Sequence, residues 1–155
     1  FNKPIISVRP STVIGINEQK RHLIPTLIRS CIEGEKMPFV PKPTHDFIDV
    51  RDVVDAILFL INKVFDLRGH AINISNNKSY TNEEVKNIVE EIIGKKAKLK
   101  LVEQMRSYDN INWKVDNNKL LNLGWKPQYR IDITLQDMVK YYYAKRNTKK
   151  WNKLI

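Results

Sequence analysis

Few residues in this chain could hold a metal ion or act as a nucleophile. The candidates are one cysteine, Cys31, and three histidines, His22, His45 and His70. None of the four has a metal-ligand spacing with another, so the sequence predicts no metal site. Cys31 lies on the apolar stripe of a helical pattern, where burial raises the pKa of a thiol and suppresses its reactivity. We also expect His70, which opens a strand, to be structural.

Three carboxylates follow one another at helical spacing. Asp49, Asp52 and Asp55 come at and after the end of a short strand-like run, residues 47–50. Carboxylates that lie close together can act as a general acid and base. A carboxylate at the start of a helix is more often a cap or a first-turn charge that complements the helix dipole. We therefore predict that Asp52 is the cap and first-turn charge of a helix over about residues 52–64, and not part of a carboxylate dyad.

Length and composition are those of a folded domain. The chain has 155 residues, 42% of them hydrophobic and 28% charged, which suits one domain with its own core. Its longest apolar run, residues 56–61, is far shorter than the roughly 18 residues of a membrane span. A single cysteine excludes an internal disulfide framework and favours a reducing, cytoplasmic compartment.

The chain is basic, with a formal net charge of +10. The excess lies at the C-terminal end, in Lys145, Arg146, Lys149, Lys150 and Lys153. Such a charge run is usually a solvated tail. A nucleic-acid binder would more often interleave its cations with stacking aromatics or present a known module, and this sequence does neither. The charge pattern therefore does not favour nucleic acid as a partner.

Apolar periodicity indicates alternating strands and helices. Strands are predicted at residues 5–8, 47–50, 70–74 and 96–102, with a loop over 9–20 and an extended Pro-rich segment over 37–43. Helices are predicted at about residues 23–33, 52–64, 82–93, 117–123 and 133–145. Gly34 and Gly94 should end the first and third helices, and Thr81 with Glu84 should form a capping box. The alternation indicates an α/β fold.

Three segments, in order, resemble the motifs of one enzyme family. The first, Arg9-Pro-Ser-Thr-Val-Ile-Gly15, resembles R-x-x-N-V-Y-G. The second, His45-Asp-Phe-Ile-Asp-Val-Arg-Asp52, resembles R-D-F/Y-I-x-V-x-D. The third, residues 116–127, resembles D-x-x-K-x-x-x-L-G-W-x-P. Each motif is weak alone, but the three in this order are specific. From about residue 5 to 143, the chain is similar to the C-terminal half of nucleotide-sugar epimerases and dehydratases of the extended short-chain dehydrogenase/reductase family.

The resemblance implies part of a Rossmann-type α/β enzyme. Residues 1–145 would supply the last sheet strands and a small mixed α/β lobe that binds a nucleoside diphosphate sugar, and residues 146–155 a basic tail. An N-terminal domain that holds NAD or NADP would precede Phe1, and the parent enzyme would be a homodimer. The glycines of this chain are too widely spaced to build the phosphate-binding loop of that domain: Gly15, Gly34, Gly69, Gly94 and Gly124.

The family's catalytic pair, Tyr-x-x-x-Lys, is matched in spacing by Tyr141 and Lys145. In that pair the lysine lowers the pKa of a tyrosine that exchanges a proton with the sugar. The family has the pair before the R-x-x-N segment, whereas Tyr141 lies on a C-terminal amphipathic helix. We therefore expect Tyr141 to face the fold and Lys145 to face solvent or a helix end, and we predict no catalytic residue in this chain.

The resemblance assigns cofactor and substrate contacts to the first segment and the first helix. Pro10 and Ser11 would line the nicotinamide side of the cofactor. Thr12 replaces an asparagine that bonds the nucleotide sugar, and it keeps a hydroxyl donor without the two-sided bonding of an amide. His22 and Leu23 match an Asn-Leu pair at the start of the substrate-lobe helix, where exposed backbone N–H groups suit a diphosphate.

Further substrate contacts are implied in later segments. Phe39 and Val40 match a segment that packs on the nucleotide base; a plain core strand is an equal alternative. His45 replaces an arginine that pairs with the diphosphate, and a histidine offers at most one donor there. Arg106 and Asp109 match R-x-G-D, whose arginine grips the diphosphate and whose aspartate approaches the ribose; a surface salt bridge is the alternative for Arg106.

These observations lead to one functional hypothesis and two alternatives. We expect the substrate-binding portion of an NAD(P)-dependent nucleotide-sugar epimerase, dehydratase or reductase, catalytically inactive alone. One alternative is a non-catalytic basic α/β module that binds polyanions through its C-terminal tail. The other is a scaffold role on the same fold, which the changes at Thr12 and His45 would suit.

Overall fold

The computed structural model describes residues 3–103 and 112–151. Strands and helices alternate along these residues. The strands are β1 (Ser7–Pro10), β2 (Thr12–Ile14), β3 (Met37–Phe39), β4 (Thr44–Asp49), β5 (Ala71–Ile74), β6 (Ser79–Thr81), β7 (Leu99–Leu101) and β8 (Asn112–Trp113). The helices are α1 (Leu23–Glu33), α2 (Val50–Ile61), α3 (Asn82–Ile93), α4 (Asn118–Asn122) and α5 (Ile131–Trp151).

Most strand pairs are parallel. β1 pairs with β5, β2 with β4, and β3 with β7, each in parallel register. β4 also pairs with β6 in antiparallel and with β8 in parallel orientation, so it has more strand neighbours than any other described strand. Parallel pairs need long crossover connections, and α1 lies in the connection between the parallel partners β2 and β4. The predicted α/β fold class is confirmed.

Two apolar clusters form the core of the described residues. The first lies among α1, α3 and α5 and includes Leu27, Phe39 and Leu135, each at most 1% exposed. The second lies among α2, α4 and β5 and includes Ala56 and Ile72, which have no exposed surface. Within the described ranges, no helix is both long enough and apolar enough to cross a lipid bilayer.

Local helix signals behave as predicted. Gly34 and Gly94 end α1 and α3 in the left-handed conformation, with φ values of 73° and 71°. The capping box at α3 is present: Thr81 Oγ1 accepts from the Glu84 backbone N–H at 3.0 Å, and Glu84 Oε2 accepts from the Thr81 backbone N–H at 2.6 Å. These ends depend on contacts within a few residues, which a sequence displays directly.

Several element boundaries differ from the predictions, and β6 and β8 were not predicted as strands. The segment predicted as a loop from residue 9 contains the end of β1 and all of β2, because Thr12 to Ile14 pair with Phe47 to Asp49 of a distant strand. Helix α2 begins at Val50, two residues before the predicted start. Helix α5 spans residues 131–151 instead of 133–145, so the predicted basic tail is helical as far as residue 151.

Asp49, not Asp52, caps helix α2. Its carboxylate accepts from the Arg51 backbone N–H at 2.7 Å, from the Arg51 guanidinium at 2.7 and 2.9 Å, and from Thr134 Oγ1 at 2.6 Å. Burial by itself raises the pKa of Asp49, but these hydrogen bonds outweigh it and hold the pKa below its ordinary value. The Thr134 bond also ties α5 to the carboxyl end of β4.

Asp52, which lies in the first turn of α2 as predicted, and Asp55 attach the end of the third motif and the residues just after it to α2. Asp52 is 1% exposed and accepts from the backbone N–H groups of Gln128 and Tyr129 at 2.9 and 3.1 Å. Burial raises the pKa of Asp52 despite these bonds. Asp55 accepts from Trp125 Nε1 at 2.8 Å, and the Trp125 ring is buried in the second cluster. These carboxylates are therefore structural, as expected, and they position residues 125–134.

We predict that Thr134→Val lowers the free energy of unfolding by about 1.5–3 kcal/mol, the usual loss for a hydrogen bond to a charged group. Valine keeps the volume of the side chain but leaves the buried Asp49 carboxylate without its hydroxyl donor. Urea unfolding measures the change. Thr134→Ser keeps the hydroxyl and is the matched control, so it should lose less stability. Equal stability of Thr134→Val and the unaltered chain would contradict the assignment.

Candidate functional site

Pro10 and Ser11 lie at the carboxyl end of the β1–β5 pair. The Ser11 backbone N–H donates to the Ile74 carbonyl at 2.9 Å, and Ser11 Oγ donates to Asp46 Oδ1 at 3.3 Å. Pro10 is exposed. In open parallel sheets, ligands bind outside the carboxyl ends of the strands. The two residues that resemblance assigns to the cofactor therefore occupy a suitable edge.

Asp46 organises this edge and was not singled out from the sequence. It is 1% exposed and accepts from the Asn76 backbone N–H at 2.9 Å as well as from Ser11. Burial raises the pKa of Asp46 even though these hydrogen bonds oppose it. Its Oδ2 atom is buried and has no hydrogen-bond partner among the described residues. The only sequence signal was its position inside the second motif, next to His45.

Thr12 and His45 lie on neighbouring strands. Thr12 opens β2 opposite Phe47 of β4, two residues from His45. His45 is half-buried, its backbone is opposite Tyr80 of β6, and its ring centroid lies 5.5 Å from that of Phe47. The structure thus brings Ser11, Thr12 and His45 together around β4.

The start of helix α1 has neither a side-chain cap bond nor an acidic residue in its first turn. Its N-cap, His22, makes no side-chain cap bond, and the first turn, from Leu23, contains no acidic residue. The first N–H groups of a helix have no partner within the helix and favour anions. The start of α1 is therefore electrostatically open to a negatively charged group, as the resemblance implies for His22 and Leu23.

Glu18 lies behind His22 and was missed in the sequence. Its side chain is 9% exposed, and Oε1 lies 3.1 Å from His22 Nδ1. Burial raises the pKa of Glu18 to about 7. The signal that could have found it is the spacing, since an acidic residue four positions before a histidine at a helix start is within hydrogen-bond reach.

Gly15, the last residue of the first motif, permits a close approach of the loop to α2. A Cβ atom added at Gly15 would lie 2.7 Å from Val50 Cγ1, closer than real Cβ contacts come. The motif therefore contains glycine because no side chain fits between β2 and the first residue of α2.

The Phe39 side chain belongs to the core, which corrects its assignment to a nucleotide base. Phe39 is 1% exposed within the first apolar cluster, and its carbonyl accepts from the Val102 N–H at 3.0 Å. Val40 is half-buried, and its carbonyl accepts from Asn82 Nδ2 at 2.9 Å. Of the two interpretations of this segment, the core strand is the one that holds for Phe39.

Tyr141 and Lys145 lie on helix α5, apart from the strand edge at Pro10 and Ser11. Tyr141 is half-buried and donates from its hydroxyl to Asn17 Oδ1 at 2.6 Å, whereas Lys145 is exposed, so both expected orientations are confirmed. Lys145 Nζ lies 5.4 Å from the centroid of the Tyr141 ring. These contacts hold a loop against α5, and neither side chain contacts Thr12.

The remaining candidates divide into buried and undescribed residues. Cys31 is 4% exposed, which confirms its predicted position on a buried helix face, and burial raises the pKa of its thiol to about 11. Within residues 3–103 and 112–151, no three His, Cys, Asp or Glu side chains are arranged to hold a metal ion. Arg106 and Asp109 lie outside the described residues, so their roles stay predictions.

Known proteins resemble this chain in sequence. Residues 1–75 match the model of the NAD dependent epimerase/dehydratase family. A probable GDP-L-fucose synthase 1 of Oryza sativa subsp. japonica is 26% identical over 149 residues, which are 88% of this chain and 44% of that protein. The dTDP-glucose 4,6-dehydratase of Haemophilus influenzae is 26% identical over 92% of this chain and 46% of its own. The chain spans about half the length of these curated relatives.

Solved structures agree with the sequence matches. A dTDP-glucose 4,6-dehydratase of Bacillus anthracis in complex with NAD superposes with a TM-score of 0.81 and 26% identity, over 98% of this chain and 48% of that one. A UDP-glucose 4-epimerase of Thermotoga maritima with UDP-glucose has a TM-score of 0.82 at 20% identity, over 90% of this chain and 46% of that one, and it supports the fold alone.

The fold defines the class of this chain as a Rossmann-type α/β fold like that of the dehydratase and epimerase structures. More specifically, residues 1–75 are similar to the NAD dependent epimerase/dehydratase family, and the two curated relatives have the names of nucleotide-sugar enzymes.

We predict that Glu18→Gln stabilises the chain at pH 8 but not at pH 5. Because the pKa of Glu18 is about 7 in the fold against an ordinary 4.5, the folded chain binds more protons between these values, and this group's contribution to stability falls as pH rises through that window. The difference at pH 8 should reach up to roughly 3 kcal/mol. Urea unfolding at both pH values measures it.

The control for this experiment is Glu91→Gln, which changes an exposed glutamate on α3. Its effect should be small and nearly the same at pH 5 and pH 8. An equal pH dependence of the two variants would contradict the burial of a titrating carboxyl at Glu18.

Proposed function

We propose that this chain is the nucleotide-sugar-binding portion of an NAD(P)-dependent epimerase, dehydratase or reductase. The observation that carries the proposal is the start of α1, which has no acidic residue in its first turn and follows the β2 strand that holds Thr12. A diphosphate placed there would receive the backbone N–H groups of the first turn and the N-terminal charge of the helix dipole.

The relatives support a nucleoside diphosphate sugar as the substrate class. Their names mention GDP-L-fucose and dTDP-glucose, and a structure similar to this chain contains UDP-glucose. The nucleotide therefore differs between relatives while the diphosphate sugar is common to them. We assign the shared chemistry to this chain: His22 and Leu23 at the diphosphate, Thr12 and His45 at the sugar nucleotide, and Arg106 and Asp109 by resemblance.

The surface of α2 and β1 supports a further domain as partner. β1 pairs with β5 on one side, no second strand pairs with it among the described residues, and all four of its residues are exposed. On α2 and in the segment after it, Val54, Leu58 and Phe65 are 52%, 58% and 73% exposed. Such an apolar face with an open strand edge is typical of a covered interface. We propose that an NAD-binding domain, within the extra length of the relatives, covers it.

In such an enzyme this chain would position the sugar nucleotide, and the other domain would hold the cofactor. NAD or NADP, when bound, accepts a hydride from a sugar carbon and, in epimerases and dehydratases, returns it. Pro10 and Ser11 lie at a strand edge that suits contact with the nicotinamide side, whereas the glycines are too dispersed for a phosphate loop. Residues 1–145 would thus orient the sugar nucleotide, and residues 146–155 would add a basic extension. A homodimeric parent enzyme in a reducing, cytoplasmic compartment belongs to the same proposal.

We expect the 155-residue chain alone to convert no nucleotide sugar and to bind no dinucleotide tightly. The chain has neither the spaced glycines of a phosphate loop nor a Tyr-x-x-x-Lys pair beside Thr12. Mass spectrometry of the purified chain and calorimetric titration with NAD test this expectation. NAD that copurifies in a one-to-one ratio would overturn it.

In a protein that also contains the cofactor domain, we predict that Arg106→Ala weakens nucleoside diphosphate binding by about tenfold or more. A charged hydrogen bond is worth about 1.5–3 kcal/mol, and each 1.4 kcal/mol is a factor of ten. His45→Ala should weaken binding less at pH 8 than at pH 6, because only a protonated imidazole attracts an anion. Calorimetry at both pH values measures the affinities.

Two outcomes would contradict these assignments. One is unaltered affinity in Arg106→Ala, and the other is an equal loss in His45→Ala at both pH values. Either would favour binding of polyanions through the basic C-terminal end, in which case deletion of residues 149–155 would abolish binding.

A further inference from the structure

A cavity of about 500 Å³ opens between the loop at residues 15–20, one side of α1 and the C-terminal half of α5. Among the described residues, none to which the resemblance assigns cofactor or substrate contacts lines this cavity. Its volume lies within the range of about 300–1,000 Å³ found for small-molecule sites. It is therefore a second candidate site, on the far side of the loop from the strand edge.

The cavity is lined by an excess of cations. Lys20, Arg29, Lys145 and Arg146 line it, against two carboxylates, those of Glu18 and Glu33. Three of the cations, Lys20, Lys145 and Arg146, have no carboxylate within 4.0 Å in the described part of the chain.

Each of the two acids has a partner at one carboxylate oxygen. Glu33 Oε1 accepts from the Tyr142 hydroxyl at 2.9 Å, and Glu18 Oε1 lies against His22 Nδ1, whereas Glu18 Oε2 is buried without a hydrogen bond among the described residues. The pKa of Glu18, raised to about 7 by burial, leaves this side chain partly neutral near neutral pH. The cavity therefore favours an anionic ligand.

Arg29 has unused hydrogen-bonding capacity in this wall. Its Nε atom is buried and makes no hydrogen bond among the described residues, although it forms an ion pair with the exposed Glu35 carboxylate at 3.4 Å. Buried polar groups without a hydrogen bond are uncommon in folded proteins. An oxyanion in the cavity would offer an acceptor.

The wall of the cavity that α5 forms is fixed by contacts of Tyr141 and Lys145. The Tyr141 hydroxyl donates to Asn17 Oδ1 at 2.6 Å, which ties the loop to the helix, and Lys145 lies over the Tyr141 ring. The tyrosine rings add flat, partly apolar surface on which a sugar or base can pack. Cations on two elements and aromatic rings between them suit a ligand that carries one phosphate and one ring.

We propose that this cavity binds a small phosphate monoester, with the phosphate held by Arg29, Lys145 and Arg146 and the rest of the molecule against Tyr141. The ligand is separate from the nucleotide sugar proposed above, because the residues of the two sites differ. A sugar phosphate and free phosphate share the anion chemistry, and the experiment distinguishes them.

The test titrates the 155-residue chain, ¹⁵N-labelled, with glucose 6-phosphate, inorganic phosphate and glucose. We expect saturable amide shifts in residues 17–20 and 141–146 with glucose 6-phosphate, and none with glucose. Tighter binding of glucose 6-phosphate than of phosphate would show that the ring contributes, whereas equal affinities would identify free phosphate as the ligand.

The variant Lys145→Gln/Arg146→Gln removes two exposed cations from the cavity and should weaken glucose 6-phosphate binding at least tenfold. The matched control, Lys126→Gln/Lys140→Gln, removes two exposed lysines outside the lining and should change affinity less than twofold.

Three results would overturn the proposal: no saturable binding of glucose 6-phosphate, equal losses in the two double variants, or shifts confined to residues 11–14 and 22–24. The last result would mean that the phosphate binds at the start of α1. It would leave the proposed nucleotide-sugar site standing while removing this one.

Discussion

Hydrogen bonds to carboxylates at the start of α2 hold the described structure together. Asp49 and Asp52 are buried: Asp49 accepts from the Thr134 hydroxyl of α5, and Asp52 accepts from the backbone N–H groups of residues 128 and 129. Asp55 is exposed and accepts from the Trp125 indole. A buried carboxylate is costly unless it is hydrogen-bonded, so the partners of Asp49 and Asp52 are required where they are. Residues 125–134 are thereby fixed to the end of β4 and the start of α2.

This constraint connects the second motif to the end of the third. The second motif supplies the acceptors Asp49 and Asp52, whose donors lie just after the third motif, at residues 128, 129 and 134. The third motif itself supplies the Trp125 indole, which donates to Asp55. With the carboxyl end of β4 fixed, its partner β2 and the Ser11–Asp46 contact are positioned, and with them the strand edge where we propose that ligands bind.

How much of the fold the sequence predicts depends on how local each determinant is. The glycine ends of α1 and α3 and the capping box of Thr81 were predictable, because their partners lie within a few residues. Strand β2 was not, because three residues after a proline become a strand only when β4 lies beside them. The N-cap was misplaced by three residues although its defining bond is local, from the Arg51 backbone N–H to Asp49; only the added bond from Thr134 depends on a distant helix.

The candidate site shows the same division. The first motif was enough to assign Ser11 and Thr12 to the site. The burial of Phe39 could not be predicted, because it depends on helices that pack over it. Glu18 and Asp46 were not singled out because burial, which gives each its raised pKa, is a tertiary property. Arg106 is known from the motif alone.

The account's central claim is that nucleoside diphosphates bind at the start of α1 and the adjoining strand β2. The most direct measurement is the change in ¹⁵N amide shifts of the 155-residue chain on titration with uridine, guanosine and thymidine diphosphates. The account predicts that at least one of the three shifts the amides of Leu23, Ile24 and Thr12 to Ile14. Shifts confined to the basic end of α5, residues 145–151, for all three ligands would contradict it.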